Sequence, residues 1–280
     1  MAVVVVTDSA AGLSADLVAD LGIEVVPLHV LVGDRQIREG VEPVEIDYSA
    51  DSVTTSAASP GELREVYERA MARSGGDGVV AVHLSRRLSA TWEAGRQAVQ
   101  DMGGEDQVRL VDSLGAGLAT GLPVLAAARR ARAGQALDVV YECAVSAAAR
   151  ARTFILVNRT EQLRKGGRLS SAAAFFGSEL VSKPLLQLVE GKLELREKVR
   201  TRSRAYSKLV AAAVEAAGDG GATLGIQHLG APEVAETIAA QVREQAREVA
   251  ELHVVEFGPT LGVHLGVGAL GVVVLPGECR

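Results

Sequence analysis

Short β-branched apolar runs recur through the first half of this chain, each ending in a cluster of Ser, Thr or Asp ahead of a helix-length segment. Val3–Val6 is followed by Thr7-Asp8-Ser9, and Ser14 then caps a helix ending at Gly22. Ile23–Val32 reads as a second strand. Val79–Leu84 leads into Ser85-Arg86-Arg87-Leu88-Ser89 and a helix to about Met102. Val108–Val111 leads into Asp112-Ser113, Gly115, Gly117 and a long Ala/Leu helix to Arg132. Continuous apolar strands alternating with helices predict a parallel sheet covered on both faces. In such sheets ligands sit beyond the carboxyl ends of the strands. The polar clusters fall there, and Thr54-Thr55-Ser56 is assigned to the same end.

The second half is organised differently. A helix from Leu137 to about Arg152 precedes Phe154–Val157 and the basic, glycine-bearing stretch Leu163-Arg164-Lys165-Gly166-Gly167-Arg168. Lys183–Val189 turning at Glu190-Gly191 into Lys192–Leu195 predicts an antiparallel hairpin. Helices near 202–217 and 232–247 alternate with strands at Thr223–Gln227 and Leu252–Glu256, and a last strand covers Gly271–Leu275. The expected fold class is α/β in two domains: residues 1–150 around a parallel sheet sandwiched by helices, and residues 151–280 around a mixed sheet.

Composition narrows the function classes. Apolar residues make up 48 % and charged residues 23 % of 280, which excludes a disordered chain and provides material for about two cores. Aromatic residues are only 3 %, against the stacking platforms of single-strand nucleic-acid readers. The formal charge is −6, whereas a domain that coats phosphate backbones is normally basic. Cys143 and Cys279 are far apart and form neither a disulfide framework nor a zinc knuckle, so no metal is expected. The apolar run Ala2–Val6 is too short for a signal segment, and a cytoplasmic location is the expectation. Leu261–Pro276 imitates a membrane span, but it carries His264 and four glycines and is shorter than the ~20 residues a span needs. A glycine loop feeding a buried strand is the better reading.

Several polar positions admit two readings. Ser59 with Glu62 forms a capping box, with Pro60 at the first helical position. Thr55 lies just before that helix start, where backbone N–H groups favour anions, so its hydroxyl suits a carboxylate or phosphate. Ser89 opens its helix, as a cap or as a ligand group at a strand end. Asp8 and Ser9, like Asp112 and Ser113, are turn chemistry or site lining. His264 lies among Gly262, Gly266, Gly268 and Gly271, either as a satisfied core group or as a donor to an anion that the glycines let approach. His29, His83, His228 and His253 show no metal-ligand spacing and read as structural. The nucleophile elbow, the P-loop and the HExxH signature are absent, and Gly115-Ala116-Gly117 with Thr120 matches a dinucleotide fingerprint only weakly. The Arg- and Lys-rich segment 159–208 reads as solvated surface or as a patch for an anionic partner.

Taken in order, these pieces resemble the DegV family of fatty-acid-binding proteins over essentially the whole chain. The resemblance rests on Thr7-Asp8-Ser9, on Thr55-Ser56-Ala57-Ala58-Ser59 for T-S-Q-P-S, and on Leu88-Ser89-Ala90-Thr91 for L-S-G-T. Leu163 to Arg168 for L-x-K-G-G-R, Lys183-Pro184 with Gly191, Lys198-Val199-Arg200 and the His264 glycine loop complete it. It implies two α/β domains with a long-chain, palmitate-like fatty acid between them and no other cofactor. The carboxylate is then bound by Thr55, Ser89 and His264, with Asp8, Ser9, Ser56, Ala90, Gly266 and Gly268 as possible lining. It also implies a non-catalytic protein that presents the carboxylate to a separate fatty-acid kinase, with Lys165, Arg168, Arg200 and Arg202 as possible phosphate or partner contacts. Ala57, Ala58, Ala90 and Val267 depart from the family pattern.

Physics is compatible with that implication. Each buried methylene contributes about 0.8 kcal/mol, and the aliphatic walls a fatty acid needs are abundant here. A few neutral donors hold a carboxylate without a buried cation, whose desolvation would cost several kcal/mol. Two other readings remain open: an enzyme, either a hydrolase or a phosphoryl transferase using Ser89 and His264, and a regulatory module whose ligand controls docking of another protein.

Overall fold

The computed structural model describes residues 2–42, 45–50, 52–158, 160–169 and 183–277. Two compact units emerge, one of Met1–Ala149 with Gly258–Thr260, the other of Arg150–Phe257 with Leu261–Arg280. Cys279 lies outside the described residues, and Cys143 is half-buried.

The first unit is built on a four-stranded, wholly parallel sheet. Its strands are β1 (Val4–Asp8), β2 (Glu24–Val26), β6 (Val79–His83) and β7 (Val108–Asp112), in the order β2-β1-β6-β7. Every residue of β1 and β6 is buried, as expected of central parallel strands covered on both faces. The cover is two helix pairs: α1 (Ala15–Leu21) with α4 (Leu118–Arg132), and α2 (Pro60–Ser74) with α3 (Thr91–Met102). Helix α5 (Leu137–Arg150) follows. Local chemistry sets the ends: Ser14 Oγ accepts from Leu17 N–H at the start of α1, and Gly22 closes it at φ 62°.

One predicted strand divides in two. Ile23–Val32 becomes β2 in the parallel sheet and β3 (His29–Val32) in a separate antiparallel sheet, with Pro27 and Leu28 between them. The second sheet has the order β4-β3-β5, with β4 at Arg35–Arg38 and β5 at Val53–Ser56. Thr54-Thr55-Ser56 therefore lies on an antiparallel strand, not at the carboxyl end of a parallel one.

The second unit holds a six-stranded mixed sheet in the order β10-β9-β8-β13-β11-β12. These are β8 (Arg152–Leu156), β9 (Lys183–Val189), β10 (Lys192–Val199), β11 (Ala222–His228), β12 (Val249–Glu256) and β13 (Leu270–Leu275). Only β11 and β12 pair in parallel; the β9–β10 hairpin turns at Glu190-Gly191 as the sequence predicts. Helices α7 (Arg202–Ala217) and α8 (Pro232–Gln245) pack together on this sheet. Their Leu209, Ala213 and Ile238 meet Phe154, Leu224, Ile226 and Val272 in one core.

Among the described residues two further short helices are α6 (Glu161–Lys165), in this unit, and α9 (Pro259–Leu265), whose Pro259 and Thr260 are grouped with the first unit. The expected glycine loop is thus shorter than the sequence suggests, because Leu261–Leu265 is helical and carries His264. Gly266 and Gly268 then turn the chain at φ 74° and 81° into β13. Among the described residues, no helix is long and apolar enough to cross a membrane.

Candidate functional site

Ser89 sits in the loop 84–90 between β6 and α3, beyond the carboxyl end of a central strand. The loop is knitted by its own backbone: Leu88 and Ser89 N–H both donate to Ser85 O at 2.9 and 3.0 Å, and Ser85 N–H donates to Gly115 O at 2.8 Å. Ser85 Oγ accepts from Arg87 N–H. Ser89 Oγ is 2.9 Å from Thr91 Oγ1 and accepts from Thr91 N–H at 3.3 Å, so the hydroxyl is tied to the first residue of α3 and is half-exposed at the loop end, while the N-cap position itself is Ala90. Ala90, where the family pattern has Gly, adopts an ordinary helical conformation at φ −79°, and the substitution brings no strain.

Thr55 stands on β5 opposite Val30 of β3, half-buried, and Ser56 stands opposite His29. Two residues on, the chain enters α2 through the expected capping box, in which Ser59 Oγ accepts from Glu62 N–H and Glu62 Oε2 accepts from Ser59 N–H at 2.8 Å. The other oxygen, Glu62 Oε1, meets His29 Nε2 at 2.9 Å. Burial opposes ionisation of Glu62, but the bonds from Ser59 and the His29 ring outweigh it and hold its pKa below the ordinary value. The strand end bearing Thr55 and Ser56 is thereby fastened to β3 through one carboxylate.

Asp8 is fully buried at the end of β1. Its Oδ2 accepts from Leu84 N–H at 2.9 Å and faces His83 Nδ1 at 3.0 Å. His83 Nε2 in turn lies 2.7 Å from the Tyr67 hydroxyl of α2. A carboxylate only accepts, so Nδ1 carries the proton; in the neutral ring Nε2 then accepts from the phenol. Both nitrogens of His83 are thus engaged away from Ser89, and this imidazole does not form a base–nucleophile pair with it. Ser9 Oγ donates to Glu39 Oε2 at 2.5 Å and accepts from Leu28 N–H at 2.9 Å.

His264 occupies the last turn of α9, mostly withdrawn from solvent. Burial, reinforced by the nearby Arg168 guanidinium, pushes its pKa down to about 4. At neutral pH it is therefore an uncharged donor or acceptor. Gly166 lies against the ring: a Cβ there would come within 2.6 Å of Nδ1. The turn beyond is held by Asn158 Nδ2, which donates to Val267 O at 2.9 Å, and side chains on Gly266 or Gly268 would collide with Gln162 or Asn158. These two glycines serve the packing of the His264 segment. Lys165 ends α6, Arg168 donates to Gly166 O, and the exposed Arg200 and Arg202 flank Thr201, the cap of α7.

Within the first unit the structure gathers Asp8, Ser9, Ser56, Thr55, Ser89 and Ala90 onto strand ends and the loops that follow them; His264, Gly266, Gly268, Lys165, Arg168, Arg200 and Arg202 belong to the second unit. Sequence reasoning missed Glu39, Glu62 as a partner of His29, and Tyr67. Glu39 is buried and also accepts from Thr260 N–H at 3.0 Å and Thr260 Oγ1 at 2.7 Å. Among the described residues, no cluster of His, Cys, Asp and Glu is arranged to hold a metal ion. The first unit holds the hydroxyls of Thr55 and Ser89, and the second holds the uncharged imidazole of His264.

Comparison with known proteins gives a consistent picture. Residues 2–277 match the model described as an uncharacterised protein of the DegV family. A DegV domain-containing protein of Mycobacterium tuberculosis is 41% identical over 274 residues, covering 98% of this chain and 97% of the relative. The crystal structure of a DegV family protein from Corynebacterium glutamicum, Cg2579, superposes with a TM-score of 0.87 at 33% identity, covering 100% of both chains. A DegV family protein from Thermus thermophilus, described for its fatty-acid binding, superposes with a TM-score of 0.90 at 29% identity, covering 99% of this chain and 100% of the other.

Proposed function

The chain belongs to the DegV family, and from that premise we propose that it binds a long-chain fatty acid non-covalently. The observation that carries the reading is the full-length likeness to the Thermus thermophilus protein described as binding fatty acid. In this proposal the Thr55 and Ser89 hydroxyls orient the carboxylate and the neutral His264 ring donates one N–H to it. Palmitate is the expected ligand class representative. The protein acts as a carrier and not a catalyst, and it presents the carboxylate to a separate fatty-acid kinase, with Lys165, Arg168, Arg200 and Arg202 toward phosphate or partner. The donor chemistry supports it, since a carboxylate held by neutral donors avoids the desolvation cost of a buried ion pair.

Mass spectrometry of organic extracts from the purified protein tests this directly. A stoichiometric C16 or C18 fatty acid, or uptake of added palmitate by delipidated protein, is expected. Neither appearing would overturn the reading. Thr55→Val together with Ser89→Ala should weaken palmitate binding at least tenfold, about 1.4 kcal/mol, while the protein stays folded. Unchanged affinity would remove both residues from the site. Esterase activity lost in His264→Ala would favour an enzyme instead.

A further inference from the structure

The Ser89 loop has two anchorage points, and one side chain serves both. His83, the last residue of β6, precedes the loop directly; α3, which the loop enters, presents Gly95 one turn in. The Tyr67 hydroxyl lies 2.7 Å from His83 Nε2 and fills the space left at Gly95, where a Cβ would come within 2.6 Å of it. On the far side of the His83 ring, Asp8 Oδ2 receives both Nδ1 and the N–H of Leu84, the first residue of the loop. Tyr67, His83 and Asp8 are all fully buried. Three elements, α2, β6 and β1, are therefore fixed to one another at the root of the loop.

We infer that the buried Tyr67–His83–Asp8 chain is a positioning device that sets where the Ser89 hydroxyl stands for its ligand. The inference rests on the fatty-acid reading above, and it makes these three residues positioning residues with no ligand contact of their own. Packing alone does not require the arrangement. A phenylalanine would fill the same apolar space, whereas the hydroxyl demands a glycine on α3 and an acceptor nitrogen on β6. The phenol retains its proton for that bond, because burial and the Asp8 carboxylate both raise its pKa. Asp8 Oδ1 takes no hydrogen bond, so both anchoring contacts go to a single oxygen.

Trp92, the sole tryptophan, lies in the first turn of α3 beneath the Arg86 guanidinium, 5.4 Å from the ring centroid. Its emission reports the exit of the loop. Palmitate titration of delipidated protein, with Trp92 emission recorded in parallel, is the experiment. Tyr67→Phe is expected to weaken binding roughly fivefold to tenfold, the scale of one lost buried hydrogen bond, and to shift the Trp92 spectrum. Gly95→Ala, which displaces the hydroxyl, should do the same alone. In the Tyr67→Phe background it should add nothing, because the phenyl ring leaves room for the methyl. Asp8→Ala, which removes both anchoring contacts, should weaken binding in the same way.

If the wild type binds palmitate and folded Tyr67→Phe and Gly95→Ala bind equally well with unchanged Trp92 emission, the positioning role is overturned. Strictly additive losses in the double variant would overturn it as well. A wild type that takes up no palmitate would sink the fatty-acid reading alone. Trp92 emission and hydrogen exchange over residues 84–90 then still decide the positioning, and no change in either would reject it.

Discussion

The imidazole of His264 lies against the backbone of Gly166, so closely that a Cβ on Gly166 would come within 2.6 Å of Nδ1. Gly166 itself has ordinary helical angles, φ −72° and ψ −8°, which any residue adopts. Gly166→Ala therefore tests the contact without straining the backbone. It should displace the ring and lower palmitate affinity about tenfold, the scale of 1.4 kcal/mol. His264→Ala should match that loss, and the double variant should add little. Isothermal titration of the three proteins checks this.

Acid should destabilise the protein through His264. Its pKa falls from 6.5 to about 4 in the fold, so between those values the unfolded chain binds a proton that the folded chain does not. Stability from this group is thus fully present above pH 6.5 and is lost as pH drops toward 4. Urea unfolding midpoints across that window should slope downward with acid. His264→Asn should flatten the slope by about one proton's worth.

The Ser59–Glu62 capping box and the Glu62–His29 pair share one carboxylate. Ser59→Ala should cost about 1 kcal/mol, as for other lost N-caps. Glu62→Gln should cost stability at neutral pH and less in acid, because its lowered pKa makes the stabilisation present above 4.5 and lost below it. Thermal melts at pH 7 and pH 4 distinguish the two variants.

Glu39 receives three donors, from Ser9 Oγ, Thr260 N and Thr260 Oγ1. Glu39→Ala leaves them unpaired in a buried place and should destabilise by roughly 3 kcal/mol or more. Thr260→Val removes one donor and should cost about 1–2 kcal/mol. Equilibrium unfolding in urea measures both.

The strand-and-helix rhythm of the first unit was legible because central parallel strands are apolar throughout: Val4–Asp8 and Val79–His83 announce themselves. The β3–β4–β5 sheet was not. Arg35–Arg38 has a single buried residue, and Val53–Ser56 is mostly hydroxyl-bearing, so neither shows the alternation that betrays a half-buried strand. Gly262 and Gly266 concealed the helix under His264, where packing overrides propensity. The motif residues Thr55, Ser89 and His264 could be picked out by their order along the chain. Their supports could not, since Asp8 and His83 lie 75 positions apart and Glu39 and Thr260 lie 221 apart. A charged residue in a polar hairpin looks solvated until its distant partners are known.

Gly258–Thr260 belongs to the same unit as residues 1–149, and that has a consequence for how the protein is made. A ribosome emits the chain from its amino end, and domains generally fold as they emerge. Here two of the three donors to Glu39, Thr260 N–H and Oγ1, are synthesised 221 residues after it, and only Ser9 precedes it. The nascent first unit therefore has Glu39 paired with Ser9 alone until translation is nearly complete. A fragment ending at Ala149 would lack the Thr260 donors, so dissecting the chain at its apparent midpoint leaves Glu39 only partly paired.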